Sequence, residues 1–170
     1  LVAIREARAQ LSRLDVRFCE WLSDPAVLRA GSWVCLQLDG CYRLDIASLL
    51  AESPSSWASL QCLSLDGEDL LDTDYQKIAC LCPLLRHLGV SFAREMLSTS
   101  LQQLAQLSAL ESLVLKKANQ PSDLEWADFF SPALSHRSWC LLNMAESELL
   151  ADAACHAISG IMQPNLIGID

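Results

Sequence analysis

Residues 33–44 read WVCLQLDGCYRL, and the spacing inside them decides the fold. Trp33, Leu36 and Leu38 stand three and then two residues apart, and Cys41 follows three further on. The Leu36-x-Leu38 core alternates with period two, which puts both leucines on one face of a short strand. The same pattern, apolar-x-x-apolar-x-apolar-x-x-(Cys, Asn or small), occurs upstream at Leu11, Leu14, Val16 and Cys19. Downstream it recurs at Leu60, Leu63, Leu65 and Glu68, then at Leu85, Leu88, Val90 and Ala93. A fifth copy is Leu110, Leu113, Leu115 and Ala118, and a sixth is Trp139, Leu142, Met144 and Ser147. A seventh opens at Leu166 and Ile169 and is cut off by the end of the chain.

The second anchors, at 14, 36, 63, 88, 113, 142 and 169, are separated by 22, 27, 25, 25, 29 and 27 residues. The period is therefore close to 26, with a short first unit and a long fifth. SWVCLQLDGC (32–41) and SWCLLNMAES (138–147) align directly and support the sixth register. A shift of one residue there, through Cys140 and Leu142, is the alternative. An ordinary α/β domain has no fixed period; a repeat array does.

The second half of each unit has helical spacing: Ile46, Leu49, Leu50; Tyr75, Ile78, Ala79, Cys82; and Leu97, Leu101, Leu104, Leu107. Thr73 or Asp74 is placed to cap one helix. Ser122-Asp-Leu-Glu125 has the capping-box form ahead of Trp126, and 151–162 reads as a further amphipathic helix. Each unit is thus strand, turn, helix, and no unit can bury its own apolar face. Stacked neighbours make one continuous core. The expected fold is an α/β solenoid, a horseshoe with parallel strands on the concave side and helices on the convex side. Strands are expected at 13–16, 35–38, 62–65, 87–90, 112–115 and 141–144. Leu14, Leu36, Leu63, Leu88 and Leu113 should be nearly inaccessible to water.

Composition agrees with a packed chain. Hydrophobic residues make up 52% of the 170, and 33 are leucine. Mean hydropathy is +0.24. Charged residues are 19%, too few for disorder. The net charge of −9 has the wrong sign for a nucleic-acid binder. No apolar run approaches the roughly 18 residues of a membrane span. The chain opens on Leu1 with Arg5, Glu6 and Arg8 close behind, which is unlike a signal peptide. It reads as a piece of a longer polypeptide, one domain over 1–170 with about six repeats and a truncated seventh.

The eight cysteines mostly have apolar sequence neighbours. A secreted scaffold uses cysteine because it lacks a core, and this chain does not. They read as reduced, buried, small hydrophobes in a cytoplasmic or nuclear protein, with Cys41 and Cys82 buried. Cys80-x-Cys82 is present but no C-x-x-C pair is, which argues against zinc. His87, His136 and His156 belong to different units, His87 on a strand and His156 on a helix. Asp39-Gly40 and Asp66-Gly67 follow strand ends, where turns favour them for backbone reasons. No phosphate-loop, dinucleotide or nucleophile-elbow pattern occurs. The expectation is a binding module, not an enzyme, without cofactor or metal.

The chain resembles leucine-rich repeat (LRR) proteins of the cysteine-containing subclass, as found in F-box/LRR proteins. VCLQLDGCYRL (34–44) places Cys41 at the subclass position after a strand. CLCPLLRHLGV (80–90) matches the C-P-x-L-x-x-L run at Cys82, Pro83, Leu85 and Leu88. Cys19 in DVRFCEWLSD also matches, and Leu22-x-Asp24 approximates the I-T-D turn. Glu68, Ala93, Ala118 and Ser147 replace the expected Cys or Asn, so that ladder of side-chain hydrogen bonds should be incomplete. The resemblance implies the target-receiving half of a cullin-RING ubiquitin-ligase subunit. A Skp-type adaptor and the cullin would be reached only through an F-box outside this sequence. The alternative is a scaffold or regulator of the ribonuclease-inhibitor-like type with no ubiquitin link.

Strand side chains alternate, so the residues between the buried leucines should face the concavity. One position past each anchor stand Asp15, Gln37, Ser64, Gly89, Val114 and Asn143; two further on stand Arg17, Asp39, Asp66, Ser91, Lys116 and Ala145. Before the anchors come Arg13, Cys35, Cys62, His87, Ser112 and Leu141. The candidate protein-binding residues are Asp15, Arg17, Gln37, Asp39, Ser64, Asp66, His87, Ser91, Lys116 and Asn143. A basic segment of a partner is expected to meet Asp39 and Asp66.

Overall fold

A computed structural model describes residues 11–29, 31–51, 57–66, 70–131, 138–161 and 168–169. Seven strands form one sheet in chain order: β1 (Arg13–Asp15), β2 (Cys35–Gln37), β3 (Cys62–Asp66), β4 (His87–Ser91), β5 (Ser112–Leu115), β6 (Leu141–Asn143) and β7 (Gly168–Ile169). Every neighbouring pair is parallel. Between them run α1 (Ala26–Arg29), α2 (Ile46–Ala51), α3 (Asp72–Leu81), α4 (Ser98–Leu104), α5 (Asp123–Phe129) and α6 (Asp152–Ile161). One strand and one helix per repeat, stacked in order, is an LRR-like solenoid.

The register follows the repeat. Leu14 pairs with Leu36, Leu36 with Leu63, Leu63 with Leu88, Leu88 with Leu113, Leu113 with Leu142, and Leu142 with Ile169. The sixth unit is thereby aligned on Leu142, without the one-residue shift. Leu36, Leu63, Leu88, Leu113 and Leu142 are buried in one cluster with the helix residues Leu49, Leu50, Tyr75, Ile78, Leu101, Leu104, Trp126 and Ile158. Each such leucine contributes about 1.5–3 kcal/mol through burial. Leu14 departs from expectation. It is only partly buried, because among the described strands β1 has a paired neighbour on one side alone.

Unit length is read out in helix length and filling. In the 22-residue first spacing α1 has four described helical residues. The 29-residue fifth spacing is filled by aromatic rings. Trp126 stacks on Phe130 with centroids 6.0 Å apart, and Phe130 meets Phe129 edge-on at 5.0 Å and Trp139 at 6.0 Å.

Helix starts bind consecutive repeats together. Asp123, in the first turn of α5, accepts hydrogen bonds from the backbone N–H groups of Ala151, Ala153 and Ala154 at 2.9 Å each. These are donors that the N-terminus of α6 would otherwise leave unpaired. Asp72 of α3 accepts from the Thr99 hydroxyl at 2.6 Å and from the Ser100 hydroxyl of α4. The Ser122–Glu125 capping box forms as expected, with Ser122 N–H on Glu125 Oε2 at 2.7 Å and Glu125 N–H on Ser122 Oγ at 3.4 Å. The start of α3 differs. Leu71 occupies the N-cap, and Asp74 instead reaches back to accept from the Leu71 N–H at 3.1 Å. Leu97 is exposed for the same reason: it is the N-cap of α4, ahead of its buried face.

Cys41 and Cys82 are buried. Burial pushes the Cys41 thiol up and the Cys82 thiol to about 12. Cys41 Sγ donates to the carbonyl of Val16, on the preceding repeat, at 3.2 Å. Ser147 plays the same part in the sixth unit. Its hydroxyl donates to the Leu115 carbonyl at 3.5 Å and accepts from Ala118 N–H at 3.3 Å. The ladder is therefore fuller than its cysteines suggest; Ala93 and Ala118 are buried gaps in it, and Glu68 lies outside the described residues. The expectation of uniformly buried cysteines fails at Cys19, Cys80 and Cys155, which are exposed. Cys19 sits in an exposed loop, and Cys80 and Cys155 point away from the core faces of α3 and α6.

Candidate protein-binding face

The sheet turns one face to the helices and the other outward. On the outward face the positions before each anchor are Arg13, Cys35, Cys62, His87, Ser112 and Leu141; of these Arg13, His87 and Leu141 are exposed and Ser112 is buried. Cys35 and Cys62 are register partners on β2 and β3. Burial and the hydrogen bond with Cys35 push the Cys62 thiol up to about 12.

Past the anchors, a groove of about 490 Å³ crosses the strand ends. It gathers six of the ten expected residues: Arg17, Asp39, Ser64, Asp66, Ser91 and Lys116. Asp15, Gln37, His87 and Asn143 lie outside its lining. Asp15 holds Arg17 in a two-pronged pair, with Nε on Oδ1 at 3.0 Å and Nη2 on Oδ2 at 2.8 Å. That hydrogen bonding lowers the Asp15 carboxyl below the usual range and raises Arg17. Asn143 is used locally, accepting from Ala145 N–H at 3.1 Å.

Asp39, after β2, and Asp66, at the end of β3, are each held by a hydrogen bond from the other's repeat. The Ser64 hydroxyl donates to Asp39 Oδ2, and Gly40 N–H donates to Asp66 Oδ2 at 2.5 Å. Neighbouring parallel strands lie about 4.8 Å apart, so the fields of the two carboxylates add. Lys116 stands at the other end of the groove and makes no ion pair with a described residue. Gly89 forms the floor between them.

The groove walls are aromatic, which the strand pattern does not foretell. Phe18 and Tyr42 are 73% and 63% exposed, and Phe92 lines the same groove. Phe18, Gly40, Phe92, Lys117 and Glu146 each stand four residues past their anchor, and each has a φ between 60° and 74°. A left-handed residue therefore ends each described strand turn. Glycine fills that position at Gly40, where a Cβ would stand 2.5 Å from the Phe18 ring. The signal was present in the sequence: Phe18 and Phe92 align with Gly40 and Gly67 once the repeats are stacked.

His156 is exposed on α6 and His87 on β4; His136 lies outside the described residues. Among the described residues no group of three or more His, Cys, Asp or Glu side chains is placed to hold a metal ion. Among them, too, no helix is long and apolar enough to cross a membrane. On the helix side, a second groove of about 300 Å³ lies between α4 and α5, against Leu101, Ala105 and Phe129.

No family model and no curated protein matches the chain. Among solved structures, the chain is similar to a chain of the yeast Rad7–Elc1 complex, with a TM-score of 0.62 and 16% identity. The match covers 99% of this chain and 38% of that one, so the chain spans under half the length of its structural neighbour. The likeness shows the fold: a single-sheet α/β repeat array.

Proposed function

We propose that this is a protein-binding LRR module, not an enzyme, whose outward sheet face is the concave side of a horseshoe and receives a protein target. The observation that carries the proposal is the groove on that face, into which five successive repeats each contribute the side chain three residues past their anchor. Repeat proteins use such extended faces because each unit adds one strand and a few exposed side chains to a common surface. The structural neighbour was solved as a complex of two proteins.

We assign the module, more narrowly, to target selection in a cullin-RING ubiquitin ligase of the cytoplasm or nucleus. The F-box/LRR resemblance of residues 34–44 and 80–90 supports this, by fold analogy. Interaction capture with the full-length protein tests it. Skp-type adaptor and cullin should co-purify, and should be lost on deleting residues upstream of Leu1 while targets are retained. Targets captured without any adaptor or cullin would favour a regulator of the ribonuclease-inhibitor-like type.

A further inference from the structure

We propose that the groove beside Phe18 and Tyr42 seats one arginine or lysine side chain of an extended segment of the target, held against Asp39 and Asp66. The inference rests on the reading of the outward sheet face as protein-binding, and names the chemistry that face selects.

Two cations next in sequence to the groove lining, Arg43 and Lys117, already sit over rings. The Arg43 guanidinium lies 4.1 Å from the Trp21 ring centroid, and the Lys117 ammonium lies 4.6 Å from that of Phe92. Phe18 and Tyr42 carry no such cation among the described residues, and both are exposed. A ring face attracts a cation through its quadrupole, more strongly when water is partly excluded. Here two open rings flank two half-buried carboxylates in one groove. Among the described cations of the groove, Arg17 makes its hydrogen bonds to Asp15 and feels Asp39 only through its field. Lys116 stands three strand spacings from Asp39, about 14 Å away.

The backbone at position 18 does not call for a side chain. Its φ of 61° suits glycine, which the next repeat supplies at Gly40. Gly89, in the middle of β4, needs no unusual φ; its missing side chain makes room for Ser64, whose Oγ would stand 3.0 Å from a Cβ there. The positive charge of Lys116 selects against a long polybasic run. The preferred segment carries its cation at the Asp39–Asp66 end and neutral or acidic residues towards Lys116.

The test is a heteronuclear NMR titration of the protein with the capped peptide Ser-Gly-Arg-Gly-Ser and its Glu-for-Arg counterpart, each to 10 mM (roughly the range where one cation–π and ion-pair contact becomes visible). The arginine peptide should shift the amides of Gly40, Tyr42 and Asp66 saturably, and the glutamate peptide should not. Phe18→Gly should weaken that response about fivefold or more, the scale of one cation–π contact, with an unchanged or raised melting temperature. Asp39→Asn with Asp66→Asn keeps both hydrogen-bond acceptors and should abolish the response. An absent response, equal shifts with the glutamate peptide, shifts centred on the helices, or an unaffected Phe18→Gly variant would each overturn the cation seat. If the seat fails while target capture still depends on the outward face, the protein-binding reading stands without it. If capture is indifferent to that face, the reading itself fails.

Discussion

Cys41 donates its thiol proton to the carbonyl of Val16, one repeat earlier, at 3.2 Å. Ser147 reaches Leu115 in the same geometry four repeats on. Both donors stand five residues past an anchor, and both acceptors two residues past the preceding one. In these two repeats the bond ties the turn after the strand onto the preceding repeat, where the Val16 carbonyl also accepts from Cys19 N–H at 3.1 Å. Cys41→Ala should cost about 1–2 kcal/mol, because it removes one inter-repeat hydrogen bond and buried volume. Ala93→Ser should be tolerated far better at its position than a larger residue. Chemical denaturation of each variant measures both; an unaffected Cys41→Ala would mean that the inter-repeat bond is not formed.

Leu63 and Leu88 sit at the centre of the anchor row and are buried on every side. Replacing either by alanine should cost about 2–5 kcal/mol through lost burial and the cavity left behind. Leu14→Ala should cost clearly less, since Leu14 is only partly buried. Equal losses at 14 and 63 would contradict the partial burial of Leu14.

Phe18 is exposed and left-handed. Phe18→Gly relieves a conformation that costs a non-glycine residue about 1–2 kcal/mol, against glycine's own entropy cost of about 0.5–1 kcal/mol. Stability should therefore hold or rise by up to about 1 kcal/mol. Gly40→Ala should have the opposite sign, because φ is 74° there and a Cβ meets the Phe18 ring. Thermal melts of the two variants decide it, and a destabilised Phe18→Gly would show that the ring serves the fold.

Asp123 holds its carboxyl below the usual range because the N–H groups of Ala154, Ala153 and Ala151 bind its charged form. A carboxylate with a depressed folded pKa stabilises above its unfolded value and loses that contribution as pH falls through the folded one. The melting-temperature gap between the protein and Asp123→Ala should be constant above about pH 5 and narrow below the ordinary value of 3.8. A gap independent of pH down to 2 would mean that Asp123 does not cap α6.

Most of the architecture was legible in the leucine spacing. A strand with one buried face writes its register into every second residue, and a period near 26 repeats it. The observed pairing of Leu14, Leu36, Leu63, Leu88, Leu113 and Leu142 follows that row. What escaped lies where side chains act across repeats. Asp123 serves a helix about 30 residues later, and Ser147 substitutes for a cysteine, relations that local pattern does not carry. In the candidate site, alternation placed Arg17, Asp39, Ser64, Asp66, Ser91 and Lys116 on the outward face, and the groove collects them. Asp15, Gln37, His87 and Asn143 share the face but not the groove, which takes the residue three past the anchor from each of five repeats. The aromatic walls escaped because turn residues answer to backbone φ and not to strand period.

The most direct test of a protein-binding outward face is hydrogen–deuterium exchange on the full-length protein, alone and bound to a captured target. Protection should concentrate at 37–43, 62–66 and 87–92, the segments that frame the groove. Protection confined to α4 and α5, around Leu101 and Phe129, with the strand ends unchanged, would contradict it.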